Sequence, residues 1–560
     1  MAKKHSKNNT FMIIGVIIIV LLISFLIQKQ KETNLQENSV GMMEGAPCHQ
    51  MGDGSWMGDC DEDSMQENSM GMMMGSDDGT YDLNEKYDIE KIPYSKNPSI
   101  IELNEKDTFS LSADIVKHKI NGIDYIMYGY NQQIPGPIIK VAKGTTINVE
   151  FKNNIDQETT IHWHGLRHDN KNDGVPGVNQ EPVKPGEDFT YSVYFPDAGV
   201  YWYHPHIRED SQQDLGLAGN MLVSTVNGEI PANKEELLIL DDALIEDGKF
   251  VPYGKEHANF ALMGRFGNTM LINGKTDYSL KVNKGDVVRF YLTNVANARP
   301  FNFRIDGAKM KLVGGDIGFY EREVFIDNII IAPAERYIID VYFEKEGEYS
   351  IQNNNPHADY NLGTITANNK ESSSDFSDSF NTLKAYEDVE KDIEKFRQYF
   401  GKPIDYTINL NMMMDMAHNT GMMMDDEDDI EWEDNMPMMN RQMTTEDVKW
   451  IIQDQKTGKE NMDFVMNAKI GDVLKIRIVN NPNSMHPMQH PIHLHGQRFL
   501  VLNNNGVKNE NLVWKDTVLV SKGDTVEILV DVTNPGEWML HCHIAEHLEA
   551  GMMTSLIVSG

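Results

Sequence analysis

The chain has 560 residues, enough for three or four domains that each bury a core without covalent staples. Its 85 acidic and 50 basic residues give a formal net charge of −35, which disfavours nucleic acid or an anionic membrane surface as a partner and favours cations. Three cysteines exclude a disulfide framework, and 20 of the 34 methionines fall in two short stretches, 42–74 and 412–443, so methionine is not spread as core filler.

In chain order, the first element is an apolar run from Phe11 to Ile27, broken only at Gly15 and Ser24 and flanked by Lys3, Lys4, Lys7, Lys29 and Lys31. No A-x-A-like cleavage site follows closely, and no cysteine adjoins the run to carry a lipid. It predicts an uncleaved signal-anchor within 1–28, with a cleaved signal as the alternative. Either reading places the remainder outside the cytoplasmic membrane, anchored to it or secreted; the flanking lysines are too evenly balanced to set orientation. Residues 29–95 read as a flexible, acidic, Met-rich tether without strand or helix periodicity.

An internal repeat organises the rest of the chain. Gly144-TTINVEFK-Asn153, Gly285-DVVRFYLT-Asn294 and Gly471-DVLKIRIV-Asn480 share one template of alternating, β-branched residues, which predicts half-buried strands. A second template follows each, as Gly199-VYWY-HPH, Gly347-EYSI-QNN and Gly536-EWML-HCH. Two templates recurring in order three times predict three copies of one Greek-key β-domain, at 96–228, 229–370 and 446–560. The linker 371–445 holds a predicted helix over Thr382–Phe400 and then a Met/Asp-rich insertion.

The copies differ in histidine. The first has His162-Trp-His164 and His204-Pro-His206; the third has His493-Leu-His495 and His541-Cys-His543; the second has Phe301-Asn-Phe303 and Gln352-Asn-Asn354 in their place. Successive strand residues point to opposite faces, so both histidines of an H-x-H pair share a face. Two such strands in each of two facing domains present eight imidazoles, enough for three metal ions as two sets of three and one of two, at the interface of the first and third copies. The same alternation turns Cys542 away from that cluster into its own domain, near His490, His547 and Met552. One thiolate, two imidazoles and a long thioether are the ligands of a blue-copper electron-transfer site. Zinc is the metal alternative, but it lacks redox chemistry and its catalytic sites need only three protein ligands.

HWHG at 162–165, YWYHPH at 201–206, HPIHLHG at 490–496 and HCHIAEHLEAGMM at 541–553 resemble the four copper signatures of the multicopper oxidases, a likeness covering about 96–560. The resemblance implies an all-β chain of three cupredoxin-like domains that couples four one-electron oxidations to the reduction of O2 to water. It implies four copper ions: a type 1 ion on His490, Cys542 and His547 with Met552 axial, a type 2 ion on His162 and His493, and a type 3 pair on His164, His204, His206, His495, His541 and His543. It also puts Asp173, otherwise a turn residue before Gly174, beside the cluster. Many bacterial relatives carry a proton-delivering carboxylate where this chain has Leu548, which leaves Glu546 or Glu549 as the candidates. A copper nitrite reductase has related domains, but four H-x-H pairs argue against it.

The methionines bear on the reductant. Met412, Met413, Met414, Met416, Met422, Met423, Met424 and Met436-Pro-Met-Met439 stand close to eight acids within 425–434. Thioethers prefer Cu(I), and the acids raise the local cation concentration. The insertion resembles that of the copper efflux oxidases, which oxidise Cu(I). Met488 matches a methionine that helps bind Cu(I) there, His486 replaces the neighbouring aspartate, and Met485 is a further candidate. In the tether, Cys48 and Cys60 either form a disulfide or join the nearby methionines as a copper trap. The expected function is an extracytoplasmic, monomeric Cu(I) oxidase; the rivals are a laccase-like oxidase of phenols, an Fe(II) or Mn(II) oxidase, and a surface copper-sequestering protein.

Overall fold

The computed structural model describes residues 79–224, 232–414 and 429–560, with two short strands nearer the N-terminus. Those two, His49–Gln50 and Trp56–Met57, pair antiparallel within a unit of their own. The expected anchor, Cys48, Cys60, Met416 and Met422 to Met424 lie outside the described residues.

From residue 79 onward, three pairs of sheets succeed one another. The first joins a four-stranded sheet to a five-stranded one, and the second a six-stranded to a five-stranded one. The third joins a seven-stranded to a five-stranded sheet. The five-stranded sheets correspond strand for strand. In each, the second-template strand (Gly199–His204, Gly347–Asn354, Gly536–Cys542) pairs antiparallel with the strand at the first H-x-H position (His162–His164, Phe301–Ile305, His490–Leu494). The first template forms strands Thr146–Asn153, Val287–Asn294 and Val473–Asn480 in the opposing sheets.

The Asn that ends that template has one job in all three copies. Asn153 donates to Gln157 O and Val183 O, Asn294 to Arg299 O and Ile331 O, and Asn480 to Met488 O and Val520 O. Each is buried, so its amide satisfies loop carbonyls that water cannot reach. In this way a strand end in one sheet fixes the loop that enters the H-x-H strand of the other.

Three expectations shift. The expected tether 29–95 is structured at its end: strand Thr80–Tyr81 pairs with Tyr253–Gly254, helix Leu83–Lys86 follows, and Leu83 is buried in the core of the first sheet pair, so an apolar side chain there packs rather than dangles. The third sheet pair begins before 446, because strand Tyr406–Met414 pairs parallel with Val473–Asn480 and antiparallel with Val448–Asp454. Met412 to Met414 therefore lie in a core strand rather than an insertion; Met412 is buried, and Met413, on the opposite face, is 55% exposed. The linker helix spans Glu387–Arg397, shorter than Thr382–Phe400. Ahead of it Ala385 bridges to Arg322, and the Lys384 N–H donates to Glu323 at 3.0 Å, which holds those residues extended. Among the described residues no helix is long and apolar enough to cross a membrane.

Candidate metal centres

The register of the paired strands decides which imidazoles meet. His162 lies opposite His204, and His493 opposite His541. Docking of the first sheet pair on the third then brings eight buried histidines together. His164 stacks on His493 with ring centroids 3.7 Å apart, and His162 lies 4.0 Å from His495. Three trios have ligand atoms within 4.8 Å of one another: His162, His164 and His493; His164, His204 and His543; His206, His495 and His541. Each trio draws on both sheet pairs. His495 Nε2 and His541 Nε2 are 2.9 Å apart, a distance two lone pairs tolerate only with a proton or cation between them.

The ring nitrogens fit a metal. One nitrogen of each of five rings meets a fixed acceptor: His162 Nδ1 meets Asp173 O at 2.8 Å, His204 Nδ1 Pro205 O at 2.7 Å and His493 Nδ1 Asp516 O at 2.9 Å. His541 Nδ1 meets Cys542 O at 2.8 Å, and His495 Nδ1 meets Asp173 Oδ2 at 2.8 Å. The opposite nitrogens of His162, His204 and His493 are buried with no hydrogen-bond partner, as is Nε2 of His206. A pinned tautomer with its lone pair aimed into a pocket is how neutral imidazole presents itself to a metal ion. Burial and the neighbouring histidines push His204, His495, His541 and His543 well below the ordinary imidazole range, and His206 down to about 3, so the rings are neutral and ready to ligate.

A fourth trio lies inside the third sheet pair. Cys542 Sγ is 3.5 Å from His490 Nδ1 and 3.8 Å from His547 Nδ1, with Met552 in the same core cluster. The cysteine thus faces away from the eight-histidine pocket, as alternation predicts. Burial pushes its thiol well up, so a bound cation is what would hold the thiolate there. Trp450 closes the back of this pocket, stacked on His547 at 4.0 Å and edge-on to His490 at 5.0 Å.

Asp173 caps the short helix Asn170–Asn172, fully buried, and faces both His495 and His162 Nδ1, the latter 3.4 Å from Oδ1. Burial raises its pKa, but these two histidines outweigh it and hold the carboxyl well below its usual range. The following Gly174 has φ +85°, and a Cβ there would lie 2.0 Å from Ile161 O, so only glycine lets the loop turn this tightly. Glu546 and Glu549 are both inside the protein. Burial and Asp210 push Glu546 up to about 8 and Glu549 to about 7, and Glu546 accepts from Asn297 Nδ2 at 3.1 Å.

Sequence reasoning missed Glu209, whose Oε1 lies 3.3 Å from His206 Nδ1, with burial, Glu549 and Asp210 raising its pKa well above the ordinary range. Its position three residues after His206, at the start of helix Glu209–Gln212, was the available signal. Also missed were Asp516 and Arg336, which no motif marks. Of the candidates for binding a reductant, Met488 is fully buried in the core cluster that contains Cys542, and Met485 packs against it. His486 is 8% exposed with a buried, unpartnered Nε2, and burial together with Lys522 lowers it to about 4.

Three sequence-family profiles, each described as multicopper oxidase, match residues 116–228, 250–374 and 430–560, one on each sheet pair. The chain belongs to the multicopper oxidase family. The multicopper oxidase mco of Staphylococcus aureus is 27% identical over 446 residues, covering 77% of this chain and 83% of its own. Laccase-5 of Trametes villosa is 27% identical over 471 residues, covering 74% and 83%. Among solved structures, the multicopper oxidase of Campylobacter jejuni, a metallo-oxidase, aligns with a TM-score of 0.63 at 25% identity over 84% of this chain and 97% of that one. This multicopper oxidase is therefore an oxidoreductase of cupredoxin-like fold, and the copper its family implies fits the histidine trios.

Proposed function

We propose that this multicopper oxidase is an extracytoplasmic cuprous oxidase, which couples one-electron oxidation of Cu(I) to the four-electron reduction of O2 to water. The observation that carries it is the surroundings of the Cys542 pocket. Met443 and Met488 are buried in the core cluster that contains Cys542, Met436, Met439 and Met485 pack against that cluster, and His486 keeps an unpartnered nitrogen within two residues of Met488. Thioethers and neutral imidazole select Cu(I).

Four copper ions are assigned to the chain. His490, Cys542, His547 and Met552 would hold the type 1 ion, His162 and His493 the type 2 ion, and the trios His164/His204/His543 and His206/His495/His541 the type 3 pair. Copper at these positions supplies one-electron transfer and O2 chemistry. The chain's own contribution is the path between them: Cys542 is bonded directly to His541 and His543, so a single residue joins the type 1 pocket to both type 3 trios. Asp173 orients His495, and Glu209, whose carboxyl lies 3.3 Å from His206 Nδ1, would deliver protons together with Glu546 and Glu549. The apolar run Phe11–Ile27 is assigned as the membrane anchor.

A second reading, oxidation of phenols or of Fe(II) or Mn(II), is favoured by the laccases among the relatives and the metallo-oxidase among the solved structures. Steady-state O2 uptake of the copper-loaded protein with Cu(I), and with a bulky phenol, separates the two. Deletion of 415–428 leaves strand Tyr406–Met414 intact. The cuprous reading expects that deletion to lower the Cu(I) rate and raise the phenol rate; no O2 consumption with Cu(I) by the intact protein would overturn it.

A further inference from the structure

The middle sheet pair carries none of the histidines, yet its Arg336 grips the carboxylate that touches them. Arg336, fully buried on strand Arg336–Tyr342, spends its donors on fixed acceptors. Nη1 grips Asp516 Oδ1 at 2.6 Å while Nη2 grips Oδ2, Nε donates to Val200 O at 2.9 Å and Nη1 to Ala334 O at 2.9 Å. One guanidinium thereby ties the first, second and third sheet pairs together.

Its partner touches two of the imidazoles. Asp516 Oδ1 accepts from His164 Nε2 at 3.1 Å and from Thr517 Oγ1 at 2.9 Å, and the Asp516 carbonyl accepts from His493 Nδ1 at 2.9 Å. His164 is thus tied through Nε2 and keeps Nδ1 unpartnered, while His493 is tied through Nδ1 and keeps Nε2 unpartnered. The two rings stack 3.7 Å apart because one residue holds both. Asp316 anchors the arrangement from behind, accepting from the Arg336 N–H at 2.9 Å and pairing with Lys515 at 3.2 Å; Lys515 also meets Glu335 at 3.2 Å. The approach is so close that Gly165, in the HWHG motif, has no room for a side chain: a Cβ would lie 2.4 Å from Asp516 Oδ2 and 2.8 Å from Arg336 Nη2.

We infer that Arg336 and Asp516 are positioning residues for the histidine pocket, a clamp through which the histidine-free middle domain sets the ring orientations of His164, assigned to the type 3 pair, and His493, assigned to the type 2 ion. This rests on the copper assignment made above. A planar fork gripping both carboxylate oxygens fixes the rotation of that carboxylate, which a lysine ammonium cannot do. Without the fork, Oδ1 no longer stands at one place, and the acceptor that selects the nitrogen His164 turns toward the pocket is lost.

The test uses the copper-loaded full-length protein, comparing wild type with Arg336→Lys, Arg336→Met and Asp516→Asn. The readouts are equilibrium copper binding and the electron paramagnetic resonance spectrum, in which type 1 and type 2 signals are separate. The clamp predicts an unchanged type 1 signal, a perturbed type 2 spectrum and copper affinity of the histidine pocket lowered about 10–100-fold, the range found when an outer-shell partner is removed. It predicts that Arg336→Lys, which keeps the charge, fails to restore the wild-type type 2 spectrum. Wild-type affinity and spectrum in Arg336→Met would overturn it, and so would parallel loss of the type 1 signal, since the pair would then merely hold the fold. A wild type with a type 1 but no type 2 signal would instead overturn the copper assignment, and the clamp with it.

Discussion

Replacing Gly165 with alanine adds one methyl group at a point of close approach beside the histidine pocket. Gly165 has φ +86°, where an L side chain costs about 1–2 kcal/mol. The added Cβ would also lie 2.4 Å from Asp516 Oδ2, 2.8 Å from Arg336 Nη2 and 3.1 Å from Tyr201 Cδ1. All three neighbours are buried and held, so the overlap cannot be relieved by a flexible chain end, and overpacking of this kind costs a further ~1–3 kcal/mol. The combined loss is about 2–5 kcal/mol, and larger if the buried ion pair breaks, where removal of one partner costs up to ~5 kcal/mol. Gly144 supplies the control: its φ is +87°, and nothing lies within 4 Å of the position its Cβ would take. Gly144→Ala should show the backbone cost alone. Denaturant unfolding of both variants without metal measures the difference, provided the slopes stay equal. If Gly165→Ala came within about 0.5 kcal/mol of Gly144→Ala, the close-approach argument would be wrong, since surface-like substitutions fall in that range.

Acid should destabilise the metal-free protein. His206 and His490 are lowered from 6.5 to about 3, so between those values the unfolded chain binds protons that the native one does not, and stability falls as the pH drops. At pH 5 each would have lost about 2 kcal/mol, from 1.36 kcal/mol per pH unit; unfolding curves at pH 7 and 5 that coincide would refute this. Glu546 acts in the opposite direction, because its carboxyl is raised from 4.5 to about 8 and the native form holds the extra proton. Glu546→Gln should therefore remove part of the stability loss seen as the pH rises toward 8, and an unchanged slope would count against its burial in neutral form. Cys542→Ser should abolish Cu(I)-driven O2 uptake while leaving the type 2 signal in place, because a serine hydroxyl is a poor copper ligand; retained turnover would exclude Cys542 as the entry point. Trp450→Leu should shift the type 1 absorption band and cost a few kcal/mol, the scale for truncating a buried aromatic; an unmoved band would mean the stacked ring does not constrain His547.

What could be read along the chain was whatever depends on period two. Alternation put both histidines of each H-x-H pair on one face and turned Cys542 to the other, and the strands His162–His164 and Gly536–Cys542 carry that out. The templates marked three repeats for the same reason, since a strand beginning after a positive-φ glycine and ending in a clamping asparagine is a local device. The grouping of imidazoles into trios was not legible, because His206 meets His495 and His541 only when sheet pairs far apart in sequence dock. Arg336 and Asp516 are 180 residues apart and look like ordinary surface charges until both are buried against each other. Methionine misled for a related reason: at 412 the same thioether that suggests a copper ligand is a core side chain, and the difference lies in the pairing of Tyr406–Met414 with two neighbouring strands. Local periodicity sets which way a side chain points. Only long-range packing decides what it finds there.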